Sequence, residues 1–222
     1  MKYFSIRMTT MIKLLHNQLK IALNGELPGE ISHKKMLPPE RNLSYSKEEQ
    51  KLVKKSSILV LIYPDGDELF TCLMKRPDTM KYHPGQICFP GGRIEEDDED
   101  EIHTALREAN EEIGLNPNEI EVVGQLSNLH ISVSRFEISP IVAVSLKKPV
   151  IIGNPSEVEK LFFLPIIKQL HLEKYPTTAL KTNNGQINVP CLFFENEIIW
   201  GATAMILSEL FDVLKTLPIN QE

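Results

Sequence analysis

The sequence predicts an α/β (α+β) protein in which a mixed β-sheet lies between helices, and three observations carry that expectation. Two β-rich runs, 58–63 and 68–74, flank Pro64, Asp65, Gly66 and Asp67, which suit a tight hairpin. Helical periodicity appears at both ends of the chain and again in its middle, so helices and strands interleave. No internal repeat or long low-complexity tract breaks that order.

Taken in order, residues 10–23 read as a first helix, with Ile12, Leu15, Leu19, Ile21, Ala22 and Leu23 apolar and Thr9 or Thr10 as its cap. A segment rich in Gly and Pro follows, and Ser46 with Glu49 suits a capping box for a short helix. After the hairpin, a helix is expected where Ala105, Leu106, Ala109 and Ile113 form a buried side and Gly114 suits a left-handed C-cap. Runs 120–126 and 136–146 read as strands. Asn154 and Pro155 before 157–163 predict a capped helix interrupted by Pro165. Runs 175–181 and 186–194 flank a second turn at Asn183, Asn184 and Gly185, and 201–217 closes the chain as a helix. Phe194 and Trp200 are read as core. This divides the chain into an N-terminal helical extension over 1–55 that packs on the domain, a main domain over 56–217, and a tail over 218–222.

Composition narrows the function. At 222 residues and 42% hydrophobic content the chain can bury one sizeable core. A net charge of −6 argues against a nucleic-acid partner, so an anionic substrate would need local positive charge or metal ions. Three cysteines without a CxxC pair suit a reducing compartment, and cytoplasmic localisation is expected. Six scattered histidines suggest no zinc site. No apolar run approaches the roughly 20 residues of a membrane span, and the N-terminus reads as an amphipathic helix rather than a signal peptide.

The chemistry concentrates in FPGGRIEEDDEDEIHTALREANEEIGL. Glu108, Glu111 and Glu112 stand at i, i+3 and i+4, so their carboxylates share one face of a helix. Like charges so close repel, and a divalent cation would neutralise them; carboxylate oxygens are the hard ligands that Mg²⁺ or Mn²⁺ prefers. An ordinary solvated Glu-rich face is the competing reading, with Arg107 pairing Glu111 at i+4. Seven consecutive acids, 95–101, are mostly solvated, and their spacing does not suit an EF-hand.

Gly92, Arg107, Glu108, Glu111, Glu112, Gly114 and Leu115 together resemble the signature of the Nudix family, Gly-x5-Glu-x7-Arg-Glu-U-x-Glu-Glu-x-Gly-U, where U is a bulky aliphatic. The loop is one residue longer than the general pattern. Asp98 takes the first acidic position counting from Gly92, and Glu99 takes it counting back from Arg107. Ala109 stands where a bulky aliphatic is usual. Upstream, CLMKRPDTMKYHPGQICFPGG resembles the second signature of the coenzyme A diphosphatase branch, with Arg76, Gly85, Phe89, Pro90, Gly91 and Gly92 in register. Lys81 replaces an Arg of that signature, keeping charge but losing the bidentate fork. LPGEISHKKMLPPER, ISVSRFEISPIVAV, EVEKLFFLPI and IWGATAMIL are similar to segments of the same branch.

The resemblance implies a Nudix-type α/β/α sandwich and hydrolysis of the pyrophosphate of coenzyme A or acyl-CoA. Metal ligands would be Glu108, Glu111, Glu112 and Asp98, with Mg²⁺ or Mn²⁺ as cofactor. The catalytic set would be Glu108, Arg107 and Glu111, and the substrate-binding set Arg76, Lys81, Gly91 and Gly92. A base outside the box, frequent in this family, has no recognisable local signature here. Expected partners are a CoA-like nucleotide and, as a candidate assembly, a homodimer. Two alternatives remain open: a broader pyrophosphatase acting on ADP-ribose, NADH or dinucleotides, and a Nudix-fold nucleotide sensor without turnover.

Overall fold

The structure is a computed structural model that describes residues 2–39, 41, 43, 53–80, 83–132, 134–172, 174–182 and 185–218. Its centre is an eight-stranded sheet. β1 (Lys54–Asp65), β2 (Glu68–Lys75), β3 (Ile87–Cys88), β7 (Phe136–Val144) and β5 (Glu121–Gln125) run in the order β3-β2-β1-β7-β5. β4 (Gly91–Arg93) pairs with β1, β6 (Leu129–Ile131) with β7, and β8 (Lys160–Pro165) with β2. β1 and β7 are parallel while the other pairs are antiparallel, so the sheet is mixed as expected. A smaller sheet of β9 (Thr177–Thr182), β10 (Gly185–Phe194) and β11 (Glu197–Trp200) lies in the order β11-β10-β9.

Alternation along β1 assigns residues to two cores. Leu59, Leu61 and Tyr63 pack with Ala105, Ala109 and Ile113 of α3 (Glu101–Ile113). Val60 and Ile62 pack on the other face with Ile12, Leu15 and Leu19 of α1 (Lys2–Leu23) and with Leu207, Leu210 and Leu214 of α5 (Gly201–Lys215). Helices therefore cover both faces, giving an α/β/α sandwich. α1 contributes to the same core as the central strands. A short α2 (Glu30–His33) packs against α5.

Several boundaries differ from the sequence reading. α1 begins at Lys2, so Thr9 and Thr10 lie inside the helix and do not cap it. Residues 160–165 form β8 rather than a capped helix. Asn154 does cap, but only a turn: its Oδ1 accepts the Ser156 N–H at 3.2 Å. Leu161 to Leu164 then alternate in burial, and β8 pairs with β2. Pro165 precedes a separate helix, α4 (Ile166–Leu170), rather than interrupting one. β6 and β11 are short strands with weak periodicity, and the sequence reading passes over both. The first hairpin forms as expected, with Gly66 at φ 61 in a two-residue loop between Asp65 and Glu68. Ser46, Glu49, Asn183 and Asn184 fall outside the described residues. No described helix is long and apolar enough to cross a membrane.

Candidate active site

α3 carries the carboxylate cluster, and local chemistry fixes both its ends. The Asp100 side chain accepts the His103 N–H at 2.7 Å, and Gly114 closes the helix at φ 63. The apolar side of α3 presses on the sheet, which turns Glu108 and Glu112 toward β4. Glu112 is buried, with 2% exposure, although it belongs to the charged triplet. Its Oε2 accepts the Gly91 N–H at 2.8 Å, and Arg76 Nη1 lies 3.5 Å from Oε1. Burial pushes its carboxyl up to about 8; the Gly91 N–H opposes that rise and Glu108 adds to it.

Two glycines make room for this arrangement. A Cβ on Gly92 would run into the Glu108 carboxylate, and one on Gly91 into the backbone of β1. β4 therefore approaches α3 more closely than side chains would permit. Burial also raises the Glu108 carboxyl above its ordinary range, against the pull of Arg107. Glu111 is the exposed member of the triplet, at 52%.

Arg107 organises the loop before the helix. Its Nε and Nη2 donate to the two oxygens of Asp98, both at 2.9 Å, while Nη1 reaches Glu108 at 3.0 Å and Glu111 at 3.2 Å. Asp98 also accepts from the Thr104 hydroxyl and the Glu95 N–H, each at 2.9 Å, and its side chain is 1% exposed. These bonds, led by Arg107, hold its carboxyl well below the usual range. Asp98, expected as a metal ligand, has both oxygens engaged by Arg107 in this structure. Of the two aligned candidates it is Asp98 that reaches α3, and Glu99 is exposed.

Arg76, expected to grip substrate, has its Nη1 3.5 Å from Glu112 Oε1, and its buried Nε has no hydrogen-bond partner among the described residues. Lys81 lies outside the described residues. Cys88 sits beside Arg76 and Glu112, where burial pushes its thiol up to about 12 and makes it a poor nucleophile. The three cysteines are all free.

The charge of one further acid, from a distant loop, is felt by the cluster. The Asn154 N–H donates to the Glu112 carbonyl at 2.7 Å and the Ile152 N–H to the Ile113 carbonyl at 2.9 Å, which stitches this loop to the end of α3. Glu157 follows, and its charge raises both Glu108 and Glu112. No local motif marks Glu157; only the fold brings it near. Among the described residues no three His, Cys, Asp or Glu side chains already converge as a metal cage.

Comparisons with known proteins bear on the family and the fold. Residues 53–179 match the NUDIX domain. Proteins described as uncharacterized Nudix hydrolase NudL in Yersinia pestis (strain Pestoides F) and Yersinia pseudotuberculosis serotype I (strain IP32953) are each 36% identical over 138 residues. Those residues are 62% of this chain and 69% of theirs. Among solved structures, the Nudix hydrolase RenU from M. smegmatis superposes with a TM-score of 0.52 at 15% identity, covering 82% of this chain and 95% of that one. That last likeness concerns the fold; the domain match, which spans more than half the chain, and the identity to the Yersinia proteins make this chain a member of the Nudix family.

Proposed function

We propose that the chain hydrolyses the pyrophosphate bond of coenzyme A or acyl-CoA, giving 3′,5′-ADP and 4′-phosphopantetheine or its acyl form. The observation that carries the hydrolase reading is the Gly92 cradle. The site keeps space for the Glu108 carboxylate beside a buried Glu112, an arrangement costly for a fold that makes no use of it.

The residues present fit a divalent cation. Glu108, Glu111 and Glu112 offer oxygen donors only, and the raised Glu112 carboxyl marks a negative charge short of compensation. Bound there, Mg²⁺ or Mn²⁺ would supply electrostatic stabilisation of the pyrophosphate and acidify a water. The chain's own part is positioning. Arg107, anchored on Asp98, holds Glu108 and Glu111 in orientation, and the Gly91 N–H holds Glu112. Glu157, an acid outside the box whose charge acts on both Glu108 and Glu112, is the candidate to accept a proton from the attacking water.

Arg76 favours a second reading, a broader nucleoside diphosphate pyrophosphatase acting on ADP-ribose, NADH or dinucleotides. Its lean toward Glu112 leaves it less available to a substrate phosphate. Chromatography of products after incubation with Mg²⁺ or Mn²⁺ separates the readings. Cleavage of coenzyme A to 3′,5′-ADP well ahead of ADP-ribose, NADH and diadenosine polyphosphates is expected. Comparable cleavage of the whole panel would establish the broader activity, and absence of any product would leave a sensor.

A further inference from the structure

We propose that Arg93 and Lys54, gathered over the ring of Phe136, form a subsite for a phosphomonoester on the ribose of an adenine nucleotide. The inference rests on the pyrophosphatase reading and names the part of the substrate that this surface would recognise. The Arg93 guanidinium carbon lies 5.2 Å from the Phe136 ring centroid, and Lys54 Nζ lies 5.9 Å from it. Both cations are exposed and the ring is half-buried. Neither Arg93 nor Lys54 forms an ion pair with a carboxylate among the described residues, although the neighbouring Lys55 lies 3.7 Å from Glu101. In a chain of net charge −6, two cations held together without an acid form a local exception.

Ring and charges make a coherent anion site. The negative face of an aromatic ring attracts each cation and so offsets part of their mutual repulsion, yet leaves their outward positive field intact. A phosphomonoester carries nearly two negative charges at neutral pH and presents three acceptor oxygens. An arginine fork beside a lysine suits that target better than it suits a carboxylate.

Sheet register ties the subsite to the carboxylates. Ser56 stands opposite Arg93, Ser57 opposite Gly92, and Lys54 opposite Phe136. Lys54 and Ser56 are two residues apart on β1, so Lys54, Arg93 and Phe136 share one sheet face, while Gly92 faces α3 and Glu108. Among the described residues β4 pairs with β1 alone, and its other edge carries no strand. A substrate lying across that edge would bring its pyrophosphate to Glu108 and Glu112 and its ribose phosphate to Arg93 and Lys54. The backbone at the crossing is fixed, because the Arg93 carbonyl accepts from Arg107 Nη2 at 3.3 Å.

Calorimetric binding of 3′,5′-ADP, 2′,5′-ADP and 5′-AMP to the full chain with Mg²⁺ tests the subsite. The wild type should bind 3′,5′-ADP roughly tenfold more tightly than 5′-AMP, the worth of a charge-assisted contact. That preference should fall steeply with salt and shrink in Lys54→Gln and in Arg93→Gln. The double variant should lose it, and Phe136→Leu should weaken it by releasing the two cations. A preference for 2′,5′-ADP over 3′,5′-ADP would support the subsite but overturn coenzyme A as the substrate. Equal binding of 3′,5′-ADP, 2′,5′-ADP and 5′-AMP by the wild type, or a preference intact in the double variant, would overturn the subsite itself.

Discussion

A carboxylate with 2% exposure and only one backbone N–H at hydrogen-bond distance is an expensive residue, and Glu112 shows where that cost falls. Its carboxyl is raised from an ordinary 4.5 to about 8. A raised folded value means that the stability associated with protonation is fully present below about 4.5 and is lost as pH rises through about 8. The metal-free protein should therefore melt at progressively lower temperature across that window. Glu112→Gln should flatten the slope, and Mg²⁺ or Mn²⁺ should raise the melting temperature more at the alkaline end than at the acid end. A variant that keeps the wild-type slope would assign the pH dependence elsewhere. Gly92→Ala addresses the neighbouring group. Because its Cβ would displace the Glu108 carboxylate, activity should drop by at least an order of magnitude, with far-UV circular dichroism unchanged. Gly66→Ala meets open space at φ 61 and should instead cost about 1 kcal/mol of stability with activity retained.

At the scale of elements, the loop before α3 and the helix behave as one unit joined by Arg107 and Asp98. Asp98→Asn removes one charge of a bidentate pair and should lower the melting temperature by several degrees and impair turnover, whereas Glu99→Gln should resemble the wild type. The depressed Asp98 carboxyl contributes stability above the ordinary carboxylate range that is lost as pH falls toward its lowered value, so the variant should also unfold less steeply in acid. Equal, negligible effects of the two substitutions would show that this anchor does not matter. The helix itself was legible because its spacing, its C-cap glycine and its apolar side agree. β8 was not, since Asn154-Pro155 is a valid helix-start signal that here serves a turn, and the pairing with β2 overrides it. Asp98 was legible as a position, but its bonds to Arg107 were not. The acidic run shows which residues are charged, and only the three-dimensional path of Arg107 shows which one it grips.

Across the whole molecule, the contacts hardest to read from sequence are those between its two ends. His33 Nε2 lies 2.9 Å from Glu209 Oε2, a pair separated by 176 residues whose side chains are 3% and 0% exposed. Glu209 also receives the Gly29 N–H at 3.0 Å and the Ser127 N–H at 3.3 Å, and Ser32 and Lys35 both bond Asp212. Burial alone would push the Glu209 carboxyl up, but the bonds from His33 and Ser127 outweigh it and keep the group charged. Periodicity does not show this, because His33, Glu209 and Asp212 look locally like ordinary polar groups. The consequence is that α2, the loop before β6 and α5 are joined at one buried point, while Ile12, Leu15 and Leu19 bring α1 into the same core. Unfolding should therefore be a single cooperative transition, with no separate melting of the N-terminal extension. His33→Ala leaves the buried Glu209 carboxylate with only the Gly29 and Ser127 N–H groups and should reduce the unfolding free energy by about 3 kcal/mol, measured by urea denaturation. Replacing both partners with leucine should restore much of that loss, since no buried charge then remains. A loss below about 1 kcal/mol in His33→Ala, or an early transition confined to the extension, would separate the N-terminal segment energetically from the catalytic domain.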